Sequence, residues 1–257
     1  MSFDRARDIA CLRDRIERLE HACPGGESGR ATLPFGLDPI DSALPGRGLR
    51  LGAVHEVVPN SSDLSDAAAC TLFVAGILAR LDGQVLWCMP SKAPFPPALA
   101  GAGLRAERVL YAEPSRDAAL LPLVEEGARF GGLVAVVAEV AKIGLVATRR
   151  LQLAAEGSGA TVFLLRRLGR RPTAVFAASA AASRWKVGAR PSVPGSHPGF
   201  GRARWCVDLE RCRGAPAGTA ASSWVLEACD EAGRLALPAD LADRPHPQAR
   251  SYGAAAG

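Results

Sequence analysis

The loop after the first apolar strand has the layout of a phosphate-binding site but lacks the residues that bind phosphate. A strand over residues 52–58 leads into the polar segment 59–66 and then into an apolar helix. A working loop needs glycines whose N–H groups surround the phosphates, a lysine for the β- and γ-phosphates and a hydroxyl for the metal ion. This segment has neither glycine nor lysine, and Asp63 and Asp66 are expected to direct negative charge at an anion. The sequence therefore predicts a degenerate nucleotide-binding loop of Asn60, Ser61, Ser62, Asp63, Leu64 and Ser65.

Residues that could bind metal or act as nucleophiles are dispersed along the chain. The seven cysteines form no C-x-x-C pair, and their odd number favours reduced thiols over a disulfide framework or a zinc site. The four histidines are equally dispersed, and His55 lies in an apolar strand, where we expect a packed core histidine. We therefore expect no metal, no cofactor and no catalytic residues.

Basic residues are concentrated in one segment of the chain. The net charge is +5, but residues 166–213 contain eleven basic and only two acidic residues. Arginine and lysine neutralise phosphates, and Trp185 could stack on an unpaired base, although a core position in an edge strand is the favoured interpretation for this tryptophan. Solvated arginines of an arginine-rich chain are the alternative to a binding surface. The candidate surface for nucleic acid or an acidic partner consists of Arg166, Arg167, Arg170, Arg171, Arg184 and Lys186.

Residues 1–31 are predicted to form an N-terminal segment of one amphipathic helix, over residues 4–23, and a linker. Apolar side chains recur there at helical spacing, and charged residues fill most of the remaining positions. An apolar stripe must pack on something, so the helix is expected to dock on its own domain, on a neighbouring subunit or on a partner. The stripe consists of Ile9, Leu12, Ile16 and Leu19.

Strands and helices alternate from residue 54 to residue 165 and must position the loop. The strands are apolar on both faces, which indicates a parallel sheet covered by helices on both sides. Antiparallel edge strands are predicted around Phe176, Trp185, Trp205 and Trp224. We therefore predict an α/β domain over residues 32–238, with a mostly parallel central sheet flanked by helices and antiparallel C-terminal edge strands. A disordered tail is expected for residues 239–257.

The order of several short motifs resembles the entry to the RecA recombinase core. Residues 37–44 read LDPIDSAL, residues 48–52 read GLRLG and residues 55–57 read HEV, and in RecA the same order leads into the Walker A loop. The motifs LPFG at 33–36 and VLWC at 85–88, with the alanine-rich helix and the tryptophan-centred strands, are more similar to the ImuA group of RecA-like accessory proteins. The resemblance implies a RecA-like core and includes all but the two ends of the chain.

The resemblance implies that RecA's functional groups are replaced at four separate positions. The Gly-Lys-Thr end of Walker A matches residues 63–65, where only the hydroxyl of Ser65 is kept. The catalytic glutamate falls near Ser91, the Walker B aspartate on Ala138 and the nucleotide-sensing glutamine near Arg166. Glu139 follows Ala138, but a shift by one residue turns a side chain to the other face of its strand. Phosphoryl transfer depends on groups that position and stabilise the phosphates, so we expect no hydrolysis, with weak nucleotide binding left open.

The resemblance also implies a function, which is a non-catalytic accessory role in error-prone translesion DNA synthesis of the SOS response. The implied partners are an ImuB-like Y-family protein, through it the error-prone replicative polymerase subunit, and RecA; single-stranded DNA is a further candidate. The alternatives are an active RecA-type DNA-dependent ATPase and a SulA-like cell-division inhibitor. The sequence has no apolar run of membrane-spanning length and no signal-like N-terminus, so we expect a cytoplasmic protein.

Overall fold

The computed structural model describes residues 31–90, 94–167, 178–193, 201–215 and 222–238. The predicted N-terminal helix with Ile9, Leu12, Ile16 and Leu19, the strand around Phe176 and the predicted tail lie outside these residues.

Eight strands form one sheet, in the spatial order β10-β9-β8-β3-β7-β6-β4-β5. A separate two-stranded ribbon of β1 and β2 precedes it in the chain. The ribbon strands are β1 (Thr32–Leu33) and β2 (Leu49–Arg50). The sheet strands are β3 (Val54–Pro59), β4 (Gln84–Cys88), β5 (Val109–Ala112), β6 (Leu133–Val140), β7 (Thr161–Arg166), β8 (Ser183–Arg190), β9 (Arg204–Cys212) and β10 (Ser222–Glu227).

Helices connect the parallel strands and cover the sheet. They are α1 (Asp38–Asp41), α2 (Leu64–Ala79), α3 (Pro96–Gly101), α4 (Asp117–Arg129) and α5 (Leu145–Ser158), with 3₁₀ turns at Pro45–Arg47 and Ala106–Arg108. Helix α2 begins at Leu64, three residues before the predicted start, so the connection from β3 to α2 is only residues 60–63. Strand β6 continues to Val140.

Strand direction confirms the predicted fold class and corrects one strand. Strands β8, β3, β7, β6, β4 and β5 pair in parallel, whereas β9 pairs antiparallel with both β8 and β10. The strand around Trp185 was predicted as an antiparallel edge strand, but β8 lies third from the edge and runs parallel to β3. Trp185 is fully buried, because strands β3 and β9 flank β8 and helix α2 covers this face of the sheet.

The sheet buries a separate apolar core on each face. On one face, Phe73 of α2 packs against Trp185 and Trp205, in a core that also includes Trp87 and Phe163. On the opposite face, helices α4 and α5 cover the alternate residues of the same strands, including Val136 and Leu164. Side chains of a strand point alternately to the two faces, so strands covered on both sides must be apolar throughout. This explains the continuous apolar runs in the sequence.

The C-terminal turn at residues 229–234 packs closely against α2, and glycines make that approach feasible. A Cβ atom on Gly76, within α2, would lie 2.1 Å from the sulfur of Cys229. A Cβ atom on Gly103 would lie 2.8 Å from the nitrogen of Gly233. A glycine inside a helix costs about 1 kcal/mol relative to alanine, and here Gly76 allows the C-terminal turn to pack against α2.

Candidate functional site

The connection between β3 and α2 is anchored to the neighbouring strand β8. The backbone N–H of Asn60 donates to the carbonyl oxygen of Val187 at 2.9 Å. The Cβ of Asn60 occupies the space that a side chain on Gly188 would need, at 2.7 Å. A phosphate-binding loop keeps its backbone N–H groups for the ligand, whereas this connection uses its first one to extend the sheet.

The residues that the sequence resemblance matches to Gly-Lys-Thr form the entry into α2. Asp63 is at the N-cap position, but its side chain accepts no capping hydrogen bond; its backbone N–H donates to the hydroxyl of Ser61 at 3.1 Å. Leu64, in place of the lysine, is the first residue of the helix and is 88% exposed. Ser65 is also exposed. An apolar side chain at this position cannot stabilise a phosphate charge.

Asp66 has a structural role that the sequence analysis missed. Its carboxylate is buried and accepts the backbone N–H of Ala189 at 2.7 Å, which joins the first turn of α2 to β8. The expectation that Asp66 directs charge at an anion is therefore wrong. Asp63, three residues earlier, remains exposed at the helix N-terminus.

The two residues at the end of β6 lie on opposite faces of the sheet. Ala138, the residue matched to the Walker B aspartate, is buried against the α4 and α5 side. Glu139 lies on the α2 face, in the same row as Leu165 of β7 and Val57 of β3. Its carboxylate accepts the indole N–H of Trp87 at 3.2 Å and is 3.5 Å from the Arg167 guanidinium.

Burial raises the pKa of Glu139, and the hydrogen bond from Trp87 and the charge of Arg167 oppose that shift. Trp87 and Arg167 therefore both favour the ionised form of the Glu139 carboxylate, and both contact its oxygen atoms. Ser91, the residue matched to the catalytic glutamate, lies outside the described residues.

Arg166 and Arg184, predicted for a nucleic-acid surface, form a buried cluster with Glu56. The Glu56 carboxylate is 2.6 Å from Nε of Arg184 and 3.7 Å from Nη1 of Arg166. Arg184 lies directly opposite Glu56 in the sheet, and Arg166 follows two residues after Leu164, which is opposite Glu56 on the other side. Burial lowers the pKa of Arg166, and the Glu56 charge opposes that change. Charged groups inside a protein must be paired, and here Arg166 and Arg184 compensate the charge of Glu56.

The remaining members of the predicted basic surface are placed differently. Arg167 is half exposed and pairs with Glu139. Lys186 is half buried on β8, opposite Asp208 in the register of β9. Arg170 and Arg171 lie outside the described residues.

His55, the residue before Glu56, is buried as expected and takes part in a series of hydrogen bonds. His55 Nε2 is 2.7 Å from the carbonyl oxygen of Arg50, and Nδ1 is 2.7 Å from the hydroxyl of Ser183. A carbonyl oxygen only accepts, so Nε2 carries the proton and Ser183 donates to Nδ1. The indole N–H of Trp185 donates to Ser183 at 2.8 Å. Burial lowers the pKa of His55 to about 4, so this imidazole is neutral and is held as a structural group.

The sequence contains one signal for these buried clusters. His55 and Glu56 are adjacent polar residues in an otherwise apolar strand, and such residues require internal partners. The arginine partners of Glu56 and the Ser183 partner of His55 are more than 100 residues away in sequence, so their identity follows only from the sheet order.

The part of the chain that the structure describes contains no group of three or more histidine, cysteine, aspartate or glutamate side chains suited to bind a metal ion. Among the helices described, we find no candidate transmembrane span.

The sheet order and the strand–loop–helix unit at β3 define a RecA-like α/β protein. The crystal structure of the RadB recombinase has the same kind of fold, with a TM-score of 0.52 and 17% identity over 80% of this chain and all of that one. No family model matches the sequence. Protein ImuA of Caulobacter vibrioides, from two strains, is 36% identical over 234 residues, which include 85% of this chain and 93% of the relative. The chain belongs to the ImuA family.

Proposed function

We propose that this protein is a non-catalytic accessory factor in error-prone translesion DNA synthesis induced by DNA damage. Membership of the ImuA family supports the cellular role, and the degenerate loop at the start of α2 supports the absence of catalysis. The observation that carries the proposal is Leu64, an exposed apolar residue at the position of the phosphate-binding lysine.

Phosphoryl transfer requires positioned charges around the phosphates. The loop provides no lysine and no glycine, and its first N–H is bonded to β8. Arg166, at the sensor position, is held by Glu56 in the sheet interior, and Glu139 is held by Trp87 and Arg167. These contacts support a scaffold that acts by binding rather than by hydrolysis.

The partners in this proposal are an ImuB-like Y-family protein and RecA, with the error-prone polymerase subunit reached through the former, in the cytoplasm. Purified protein mixed with each partner tests it by size-exclusion chromatography and calorimetry, with and without ATP and Mg²⁺. We expect a complex with at least one partner whose affinity is the same in both conditions. No association with either partner, or association that requires ATP, would overturn it.

Single-stranded DNA is a further proposed ligand of the basic segment that includes Arg167, Arg170, Arg171 and Lys186. Each phosphate contact adds about one unit to the slope of log affinity against log salt. Anisotropy of a labelled oligonucleotide should therefore show weaker binding and a shallower slope for Arg167→Gln with Lys186→Gln. Arg105→Gln with Arg116→Gln, at two exposed positions before and after β5, removes the same charge as a control and should bind like the unmodified protein. Equal effects of these substitutions would contradict a specific DNA surface.

A further inference from the structure

Helix α5 carries large apolar side chains on its solvent face. Val146 is 75% exposed and Leu153, two turns later, is 70% exposed. Residues seven apart in a helix lie on the same face, while Leu151, Ala154 and Ala155 bury the opposite side against the sheet. The outer side of the helix therefore has two exposed apolar residues, with the exposed Arg149 and Arg150 between them, and it is uncovered among the described residues.

A groove continues this outer face toward the end of α4. Its volume is about 230 Å³, and it is lined by Arg129, Leu153, Ala154, Gly157 and Ser158. The hydroxyl of Ser158 donates to the carbonyl oxygen of Ala128, which holds the ends of the two helices together. Gly157 has open space where a side chain would lie. The groove can therefore accept an apolar side chain beside Leu153.

The described chain begins next to this end of α5. The carbonyl oxygen of Ala31 accepts the N–H of Leu51 at 2.8 Å, and the neighbouring Arg50 pairs with Glu156 of α5 at 2.8 Å. A Cβ atom on Gly52 would lie 3.4 Å from the Cα of Gly159, directly after α5. The first 30 residues therefore connect to the domain beside the C-terminal end of the uncovered helix.

Residues 1–30 include a segment suited to this face. Residues 4–23 have the apolar stripe of Ile9, Leu12, Ile16 and Leu19. The seven residues 24–30 can span up to about 24 Å when extended, and α5, with 14 residues, is about 21 Å long. From Ala31, residues 4–23 can therefore reach any part of helix α5 of the same molecule.

We propose that residues 4–23 form a helix that docks its apolar stripe on the outer face of α5 in the same molecule. Val146 and Leu153 are the contacts on α5, and the groove beside Leu153 receives one stripe residue. The docked helix buries apolar surface on both sides, which stabilises the contact through the hydrophobic effect. A partner that binds the stripe must then displace it from α5.

Hydrogen exchange followed by mass spectrometry tests this docking on the full chain. In the unmodified protein we expect amides of residues 4–23 to exchange at least tenfold more slowly than an unstructured peptide. Leu153→Asp should remove that protection. Phe95→Asp is the matched control, since Phe95 is also 70% exposed but lies at the start of α3, on the other side of the sheet, and it should leave the protection unchanged.

A second variant protects the test against misfolding of the domain. Leu12→Asp with Ile16→Asp alters only the docking segment and should increase exchange of the α5 amides. Absence of protection in the unmodified protein, or protection that Leu153→Asp leaves intact, would overturn the proposal. Protection that disappears on dilution together with a dimer in sedimentation would also overturn it, because the occupant would then be a second copy.

Discussion

Polar residues are buried and paired in strand β3 but exposed in the connection that follows it. In the strand, Glu56 and His55 are buried, and each has partners on neighbouring strands or loops. In the connection, Ser62 and Asp63 are exposed, and Leu64 replaces the group that would hold a phosphate. The charged and polar groups of the strand therefore have internal partners, whereas the connection presents exposed side chains and contains neither glycine nor lysine. Changes in the strand should therefore cost stability, and changes in the loop should cost little.

The largest loss of stability is expected from Glu56→Gln, because this substitution leaves the guanidinium groups of Arg166 and Arg184 without their carboxylate. Loss of one member of a buried ion cluster costs about 3–5 kcal/mol. Urea unfolding at pH 7 measures the change in the free energy of unfolding. Glu126→Gln, at an exposed position of α4, is the control and should change little. A loss below about 1 kcal/mol at Glu56 would show that the cluster is not needed for the fold.

The second largest effect is a dependence of the free energy of unfolding on pH, caused by His55. Its pKa is lowered to about 4 in the folded state and is about 6.5 in the unfolded chain. The unfolded chain therefore binds more protons between these values, and stability decreases as the pH falls through this window.

Between pH 7 and pH 5, this histidine should account for a loss of about 2 kcal/mol. Unfolding of the unmodified protein and of His55→Gln at both pH values separates this share from that of the carboxylates. Equal losses in the two proteins would contradict the assignment of a neutral buried histidine.

Two aspartates at the start of α2 provide a comparison within one helix turn. Asp66→Ala removes the acceptor of the Ala189 N–H and should cost about 1.5–3 kcal/mol, as for other hydrogen bonds to charged groups. Asp63→Ala should change the free energy of unfolding by less than about 0.5 kcal/mol, because the side chain is exposed and caps nothing. Thermal or urea unfolding of the two variants measures both values. Similar costs at the two positions would mean that the loop is more structured than its contacts indicate.

The smallest effect is expected from restoring loop residues. Asp63→Gly with Leu64→Lys introduces the glycine and lysine of a phosphate-binding loop at exposed positions. Stability should change by only about 0.3 kcal/mol, because Asp63 is an N-cap residue and glycine is well accepted at that position. ATP turnover should stay undetectable, since Trp87 and Arg167 still hold Glu139. Turnover in this variant would show that the loop alone blocks catalysis.

The sequence could predict the parallel sheet, because strands enclosed on both faces must be apolar along their whole length. It could also predict the strand, short polar connection and helix at residues 54–79. That this connection is a degenerate nucleotide-binding loop stays a prediction. The assignment of Arg166 and Arg184 to a surface rested on a local excess of positive charge. Their carboxylate partner is Glu56, and only the adjacency of β3 to β7 and β8 places it between them.

The prediction for β8 was wrong in part, for a related reason. Strands that follow one another along the chain are often antiparallel, and β8, β9 and β10 follow this rule with one another. The segment around Trp185 is not at the edge, however, because it also pairs in parallel with β3, more than 120 residues earlier in the chain. Asp66 illustrates the same limit, since its acceptor role depends on a backbone N–H of β8.

The central claim is that this RecA-like scaffold does not turn over ATP. The most direct measurement is ATP hydrolysis by the purified full chain with Mg²⁺ and single-stranded DNA, with RecA as the positive control. The account predicts a rate equal to that of buffer, in the unmodified protein and in Glu139→Ala alike. Turnover that DNA stimulates and that Glu139→Ala abolishes would contradict it and would favour an active recombinase-type ATPase.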